Sequence, residues 1–438
     1  MTARVFVFNP FTEGYIACGK AFAPIKHQAM LAEDLANLPQ FLCTANDIVL
    51  VTKRPSSVLL DYLERAGFPS PHFVELQHGR IDADDNTFRE AGILRPWAWG
   101  PDSVELFAPL FARDGTAARS AGQYFNRGIA QLYSKAWSAD FLRKLLACYG
   151  DDEGFALADN GLCSEQEVGV AVDSLEEAFA AIATIRSRGH HKVVVKEDYG
   201  LAGHNALRLW EPAILVAQKE WLASAMNKGR RLVVEPWLER ELDFSLQLEM
   251  GSGSLDLVGY TGLVNDLKGQ FLGNWAEPDY SLRLPSKVAA APSAQTDVSK
   301  HIQHLYGELF SLLELELLRI GFVGPISIDS FVYRTSRGGL RLKPVVEINP
   351  RYTMGRVTLE LMKRAFPGCF GKFRLVAQAQ AHREGFRSLS DYADSLSKRH
   401  PLHLDNAGKI RQGAICLNDP RSAQVVLAIF EVGPKAVL

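Results

Sequence analysis

The sequence predicts a protein that begins as an α/β layer and continues as α+β, and three observations carry that prediction. Short apolar strands alternate with helix-like segments through the first third of the chain. Amphipathic helices then alternate with strands as far as about residue 240. Beyond that point come consecutive strand-like runs punctuated by Gly251, Gly253 and Gly269, which read as antiparallel neighbours. With 438 residues and a prior of roughly 150 per domain, about three domains are expected, each long enough for its own core.

In chain order, "VFVFN" (5 to 9) and "DIVLVT" (47 to 52) are the first strands, and "SSVLLDYLERAG" (56 to 67) is a helix stopped by glycine. No G-x-G-x-x-G follows the first strand. In its place stands "NPFTEGYIACGK", either a substrate-facing loop or an ordinary turn carrying Pro10 and Gly14. Helical spacing runs from about Arg119 to Gly150. The segment "LEEAFAAIATIRSRG" (175 to 189) has acids in its first turn, bases in its last and Gly189 at its stop, all suited to the helix dipole. "KVVVKEDYG" (192 to 200) should be the next strand, followed by "NALRLW", a helix over "PAILVAQKEWLASAMNKG" and the strand "RLVVEPWL" (231 to 238). The strands "DFSLQLEM", "SLDLVGYTGLVND" and "GQFLGNWAE" come next, then a helix around 298 to 320 and a hairpin within "GPISIDSFVYRTSRGGLRLKPVVEINPR". After Gly368, a helix and two strands form an extension that either rims the site, completes a sheet or supports a homodimer.

Composition narrows the partners. Charged residues are 22%, hydrophobic residues 47% and the formal net charge is -2, which gives no support for nucleic acid or a membrane surface as partner. Any phosphate binding must therefore be local. No signal-peptide pattern opens the chain and no stretch of about 18 apolar residues interrupts it, so a cytoplasmic location is expected. The six cysteines, Cys18, Cys43, Cys148, Cys163, Cys369 and Cys416, lack any C-x-x-C pair and suit reduced thiols.

The chemistry concentrates in the hairpin. Period-two alternation puts Glu347 and Asn349 on one face of their strand. A turn centred on Gly338 and an unbulged antiparallel register would set Asp329 directly across from Glu347. Like charges so placed repel unless a divalent cation lies between them, and Mg²⁺ is typically held by one or two carboxylates with substrate phosphates completing its octahedron. The alternative is a pair of solvated acids on an open sheet face. Arg351, just past the strand, has the planar fork to grip a phosphoryl oxygen. Upstream, Lys196 ends an apolar strand and precedes the glycine loop "EDYGLAGHN", whose backbone could approach phosphates closely, or it simply caps a surface strand. "EPWLERE" then offers Glu235, Trp237, Leu238 and Glu241, an apolar linker between acids that could cradle an adenine and bind ribose hydroxyls.

The order of these elements resembles the ATP-grasp superfamily of carboxylate-amine ligases over roughly residues 120 to 368. Its most specific part is the closing E-x-N-P-R at Glu347, Asn349, Pro350 and Arg351, with Asp329 upstream. The resemblance implies an N-terminal α/β domain (1 to 120), a lid subdomain (121 to 240), a larger subdomain with the metal site (241 to 368) and a C-terminal extension (369 to 438). It implies ATP and Mg²⁺, or Mn²⁺, as cofactors. Asp329, Glu347 and Asn349 would hold the metal, while Lys196 and Lys135, in "YSKAWS", would contact phosphates with the glycine loop, Gly200 and Gly203. Glu235, Trp237 and Leu238 would line the adenine pocket and Glu241 the ribose. Pro236 has no N–H, so backbone donation to adenine would fall to Trp237 or Leu238. By residue type, Arg356 could bind the substrate carboxylate or be a surface arginine at a helix start, and His204 could touch phosphate or substrate or be merely structural; the substrates would be a small carboxylate and an amine. The implied activity is ATP-dependent amide-bond formation through an acyl phosphate. A phosphotransferase with the same cradle, or a nucleotide-binding protein without turnover, are the alternatives.

Overall fold

The computed structural model describes residues 2–19, 22–82, 85–113, 120–150, 161–200, 206–266, 269–284, 286, 298–336 and 338–434. The first third forms a four-stranded parallel sheet of β1 (Ala3–Val7), β2 (Ile48–Val51), β3 (His72–Glu75) and β4 (Ala91–Pro96), in the order β3-β2-β1-β4. Its strands are almost wholly apolar because helices cover its faces. The helix Ser57–Arg65 starts where the Ser56 hydroxyl accepts from the Leu59 N–H. It stops before Gly67, whose φ of 82° is open to glycine at little cost.

A small antiparallel sheet follows: β5 (Val170–Val172), β6 (Lys192–Glu197), β7 (Ala206–Trp210) and β8 (Leu232–Pro236), ordered β5-β8-β6-β7. Two helices, Leu175–Ser187 and Val216–Asn227, cover it, and together they enclose a separate core of Val172, Ile182, Val193, Leu209, Leu222 and Val234 among others. The dipole pattern of the first helix is as the sequence predicts, with Ser174 as its cap, Glu176 and Glu177 in the first turn and Arg186 in the last.

The remaining strands build one nine-stranded sheet. Its members are β9 (Glu239–Met250), β10 (Leu255–Asn265), β11 (Phe271–Ala276), β12 (Gly324–Arg334), β13 (Leu340–Asn349), β14 (Phe370–Ala377), β15 (His403–Leu404), β16 (Ile410–Cys416) and β17 (Val426–Gly433). The order is β13-β12-β9-β10-β11-β14-β17-β16-β15. The strands after Gly368 therefore complete this sheet, with β14 paired to β11. The main core is continuous from Phe6 and Trp97 of the first domain through Phe244 and Ile348 to Phe373 and Phe430. All six cysteines are free. No helix among the described residues is long and apolar enough to cross a membrane.

The hairpin has the expected pairing but not the expected regularity. Asp329 does lie opposite Glu347, yet Phe331 pairs with Lys343, so a bulge on β13 absorbs two extra residues. Its cause is local: Pro344 cannot donate to the ladder, and its carbonyl instead accepts from the Ser330 hydroxyl at 2.7 Å.

Candidate active site

The small and large sheets face each other across a cleft. A cavity of about 140 Å³ there is lined from one side by Val194, Lys196, Ala206 and Arg208, and from the other by Trp237, Arg240, Asp243, Asp329, Val346 and Glu347. Lys135 enters from the start of the helix Lys135–Gly150. That helix is fixed at both contacts. Asp198, just past β6, accepts from the Ser134 hydroxyl (2.6 Å) and the Ala136 N–H (2.9 Å), and the Ser138 hydroxyl accepts from the Ile348 N–H at 3.0 Å.

The Lys135 ammonium so placed donates to the Gly200 carbonyl at 2.7 Å and to Glu347 at 2.8 Å. Burial alone would raise the Glu347 carboxyl, but Lys135, with Lys196 and Arg351 beside it, reverses this and holds it below the usual carboxylate range. Asp329 behaves oppositely. Burial, reinforced by the Glu347 charge, pushes it up to about 6. The Asn349 amide donates to Asp329 at 3.2 Å and its oxygen accepts from Arg351 at 3.1 Å. Two carboxylates and an amide oxygen form a hard, all-oxygen donor set, and an acid made reluctant to ionise by its neighbour is what a divalent cation relieves. The set fits Mg²⁺ or Mn²⁺ on that ground. Among the described residues no group of three or more His, Cys, Asp or Glu side chains could hold a metal, so other oxygens must complete the coordination.

Behind the cleft, Lys196 and Lys343 both pair with Glu235, the latter at 3.1 Å. Burial pulls the Lys196 ammonium below its ordinary value, whereas the two lysines overcome burial and hold Glu235 far below the carboxylate range. Two cations, Lys343 buried and Lys196 partly so, share one anion, leaving positive charge facing the cleft. Trp237 presents its ring there, with the Arg208 and Arg240 guanidinium carbons 5.4 and 5.6 Å from its centroid.

A second cavity, of about 180 Å³, adjoins the first. Asp329, Glu347, Leu263 and Phe271 line both. Its other walls are Pro10, Trp97, Ser245, Gln247, Asn274, Asn349, Arg351, Thr353, Met354 and Gly355. Arg351, its side chain 14% exposed, donates to Glu13 of the first domain at 2.8 Å.

The structure thus brings together Lys135, Lys196, Gly200, Trp237, Asp329, Glu347, Asn349 and Arg351. Gly203 and His204 lie outside the described residues. Four expectations are corrected. Glu241 does not line the cleft: β9 bulges where Val332 pairs with Leu242 and Tyr333 with Arg240, so Glu241 is the extra residue and pairs with exposed Arg334 at 2.7 Å. Leu238 turns into the main core. The Glu235 carboxylate is taken up as counter-ion of the two lysines, and the Trp237 N–H is engaged by the Lys192 carbonyl at 2.9 Å. Arg356 is absent from both linings because Glu249 (2.9 Å) and Glu360 (3.3 Å) hold it. Sequence reasoning missed Glu13, Asp198, Arg208, Arg240, Asn274 and Lys343. Of these only two had a signal, Glu13 in the loop after the first strand and Lys343 as a charge inside an apolar run.

No protein-family model matches the chain, and no curated protein matches it. Among solved structures it is similar to N5-carboxyaminoimidazole synthetase from Staphylococcus aureus complexed with ADP, at 10% identity and a TM-score of 0.48, over 99% of this chain and 93% of that one. An ADP complex of N5-carboxyaminoimidazole ribonucleotide synthetase is similar at 12% identity and a TM-score of 0.48, over 98% and 92%. The biotin carboxylase domain of Hydrogenobacter thermophilus 2-oxoglutarate carboxylase, in complex with MgADP, ADP and bicarbonate, is similar at 10% identity and a TM-score of 0.48, over 99% and 86%.

Proposed function

We propose that the chain is an ATP-dependent ligase of ATP-grasp type, which activates a carboxylate as an acyl phosphate and joins it to an amine with release of ADP and phosphate. The observation that carries this reading is that Asp329 and Glu347 line two adjoining cavities at once. One cavity is basic and aromatic, suited to a nucleotide. The other is mostly neutral, suited to the acceptor.

In this reading Trp237, between Arg208 and Arg240, takes the base, and Lys196 and Lys135 draw the polyphosphate toward the acidic pair. A bound Mg²⁺ would be held by Asp329, Glu347 and Asn349 and would neutralise charge on the transferring group. Arg351 stands on the acceptor side of that pair, where its fork can steady a carboxylate and then the developing phosphoryl charge. Glu13 and Asn349 fix its orientation. The protein's work is positioning and charge neutralisation, so little flexible chemistry is asked of its side chains.

The test is ADP release with Mg²⁺ and ATP against pooled acids and amines, followed by the mass of the product. Two substrates joined with loss of water is the expected result. Addition of one phosphate without need for an amine would replace ligation by phosphotransfer, and nucleotide binding without any turnover would overturn both.

A further inference from the structure

We infer that the second cavity selects a carboxylate of about amino-acid size whose far end is uncharged and donates a hydrogen bond to Asn274 Oδ1; the naming of this molecule as the acid to be activated rests on the ligase reading above.

Size comes first. A cavity of roughly 150 Å³ accepts benzene, so about 180 Å³ has room for one amino-acid-sized molecule. The lining crosses the sheet from Glu347 and Asn349 on β13, through Asp329 on β12, Ser245 and Gln247 on β9 and Leu263 on β10, to Asn274 on β11. Three strand spacings, about 14 Å of backbone separation, part β12 from β11, so an elongated molecule fits better than a compact one.

Charge comes next. Among the described residues, Asp329, Glu347 and Arg351 are the only charged side chains in the lining, all at the β12 and β13 end. Everything toward β11 is neutral. A charged tail there would be buried without a partner at high cost, whereas a carboxylate at the opposite end meets the Arg351 fork.

Hydrogen bonding settles the polarity of the far end. The Asn274 amide nitrogen lies 3.4 Å from both the Gly262 carbonyl and the Thr261 hydroxyl. A carbonyl only accepts, so the nitrogen must face it and the oxygen is left over. Asn274 is 1% exposed and its Oδ1 has no partner. Such a buried acceptor calls for a donor, and Asn274 belongs to the wall of this cavity. Gln247 makes no such demand, since its amide donates to Ser245 (2.9 Å) and accepts from Thr353 (2.8 Å).

The experiment is calorimetric titration of the full chain, with and without saturating Mg²⁺ and a non-hydrolysable ATP analogue, using both enantiomers of matched acids. The pairs are threonine and valine, asparagine and leucine, glutamine and norleucine, with lysine and glutamate as charged-tail probes. At least one donor-bearing acid is expected to bind about tenfold or more tighter than its apolar partner and than either charged probe. Asn274→Leu is expected to bring that pair within about twofold while leaving analogue affinity unchanged. Asn274→Asp, which keeps an acceptor and adds charge, is expected to shift preference toward lysine, and it carries the test should Asn274→Leu fail to fold. The inference is overturned if no acid of the panel binds, if the charged probes bind equally well, or if the donor preference survives Asn274→Leu. Failure of the analogue to bind would instead sink the ligase reading, and the titrations without nucleotide would still decide this one.

Discussion

Glu235 shows how one side chain can govern a site it does not touch. Its carboxylate is shared by Lys196 and Lys343, and removing it leaves one buried and one partly buried ammonium group without their counter-ion. Glu235→Gln should lower stability at pH 7 by about 3–5 kcal/mol, the usual cost of breaking a buried pair. Because the folded-state carboxyl lies far below its ordinary value, the stabilisation is fully present above about pH 4.5 and declines as pH falls through the folded value. Thermal melts should therefore show the wild type and Glu235→Gln far apart at pH 7 and converging below pH 4.5. Arg351 couples function and stability in a similar way. Arg351→Ala should lose about 10² to 10³ in turnover, but it also strands Glu13, which is 3% exposed and has one unpartnered oxygen. Adding Glu13→Gln should recover melting temperature and leave turnover low; recovery of both would mean that Arg351 matters only to packing.

At the scale of elements, two β-bulges separate what could be read from the chain from what could not. The expected pairing of Asp329 with Glu347 is present but not for the expected reason: Arg334 lies opposite Leu340, so an unbulged ladder would have set Asp329 across from Val345, and the two-residue bulge brings Glu347 there instead. The dipole pattern was enough to place the helix Leu175–Ser187. Pro344 was visible too, but a missing N–H on an unspecified strand does not say how many residues the ladder will skip. The β9 bulge carries no proline or glycine at Glu241, so nothing in the sequence signalled that its side chain would leave the cleft while Arg240 and Asp243 line it. Arg356 illustrates a different gap: its partners Glu249 and Glu360 lie 107 and 4 residues away, and only the former needs the tertiary fold. Since Glu241 and Arg334 form an exposed pair, Glu241→Ala should change stability by no more than about 0.5 kcal/mol. Nucleotide affinity should not move. A large loss of affinity on titration of that variant would restore Glu241 to the ribose site.

For the whole molecule, the continuity of the main core and the separateness of the small sheet's core set which parts can move. Residues after Gly368 supply four strands of the large sheet and core members such as Phe373, Leu417 and Phe430, so truncation at 368 should abolish folding rather than detach a module. A soluble truncated protein with a cooperative melt would refute this. The small sheet, with its own interior and a cleft on one face, is the unit free to close. An ATP analogue at about 100 times its dissociation constant should slow amide exchange in β6 and β8 by up to about a hundredfold, and unchanged exchange there would show that the two sheets are not bridged by nucleotide. Lys135 gives this closure a particular thermodynamic form. Its ammonium already neutralises Glu347 and at the same time holds the Gly200 carbonyl. On the proposed reading, a divalent ion held by Glu347 would meet an acid that has a tenant, and loading would be an exchange of one cation for another. Displacing that tenant would also unfasten the backbone at Gly200, so the vacated ammonium and the freed carbonyl would become available together.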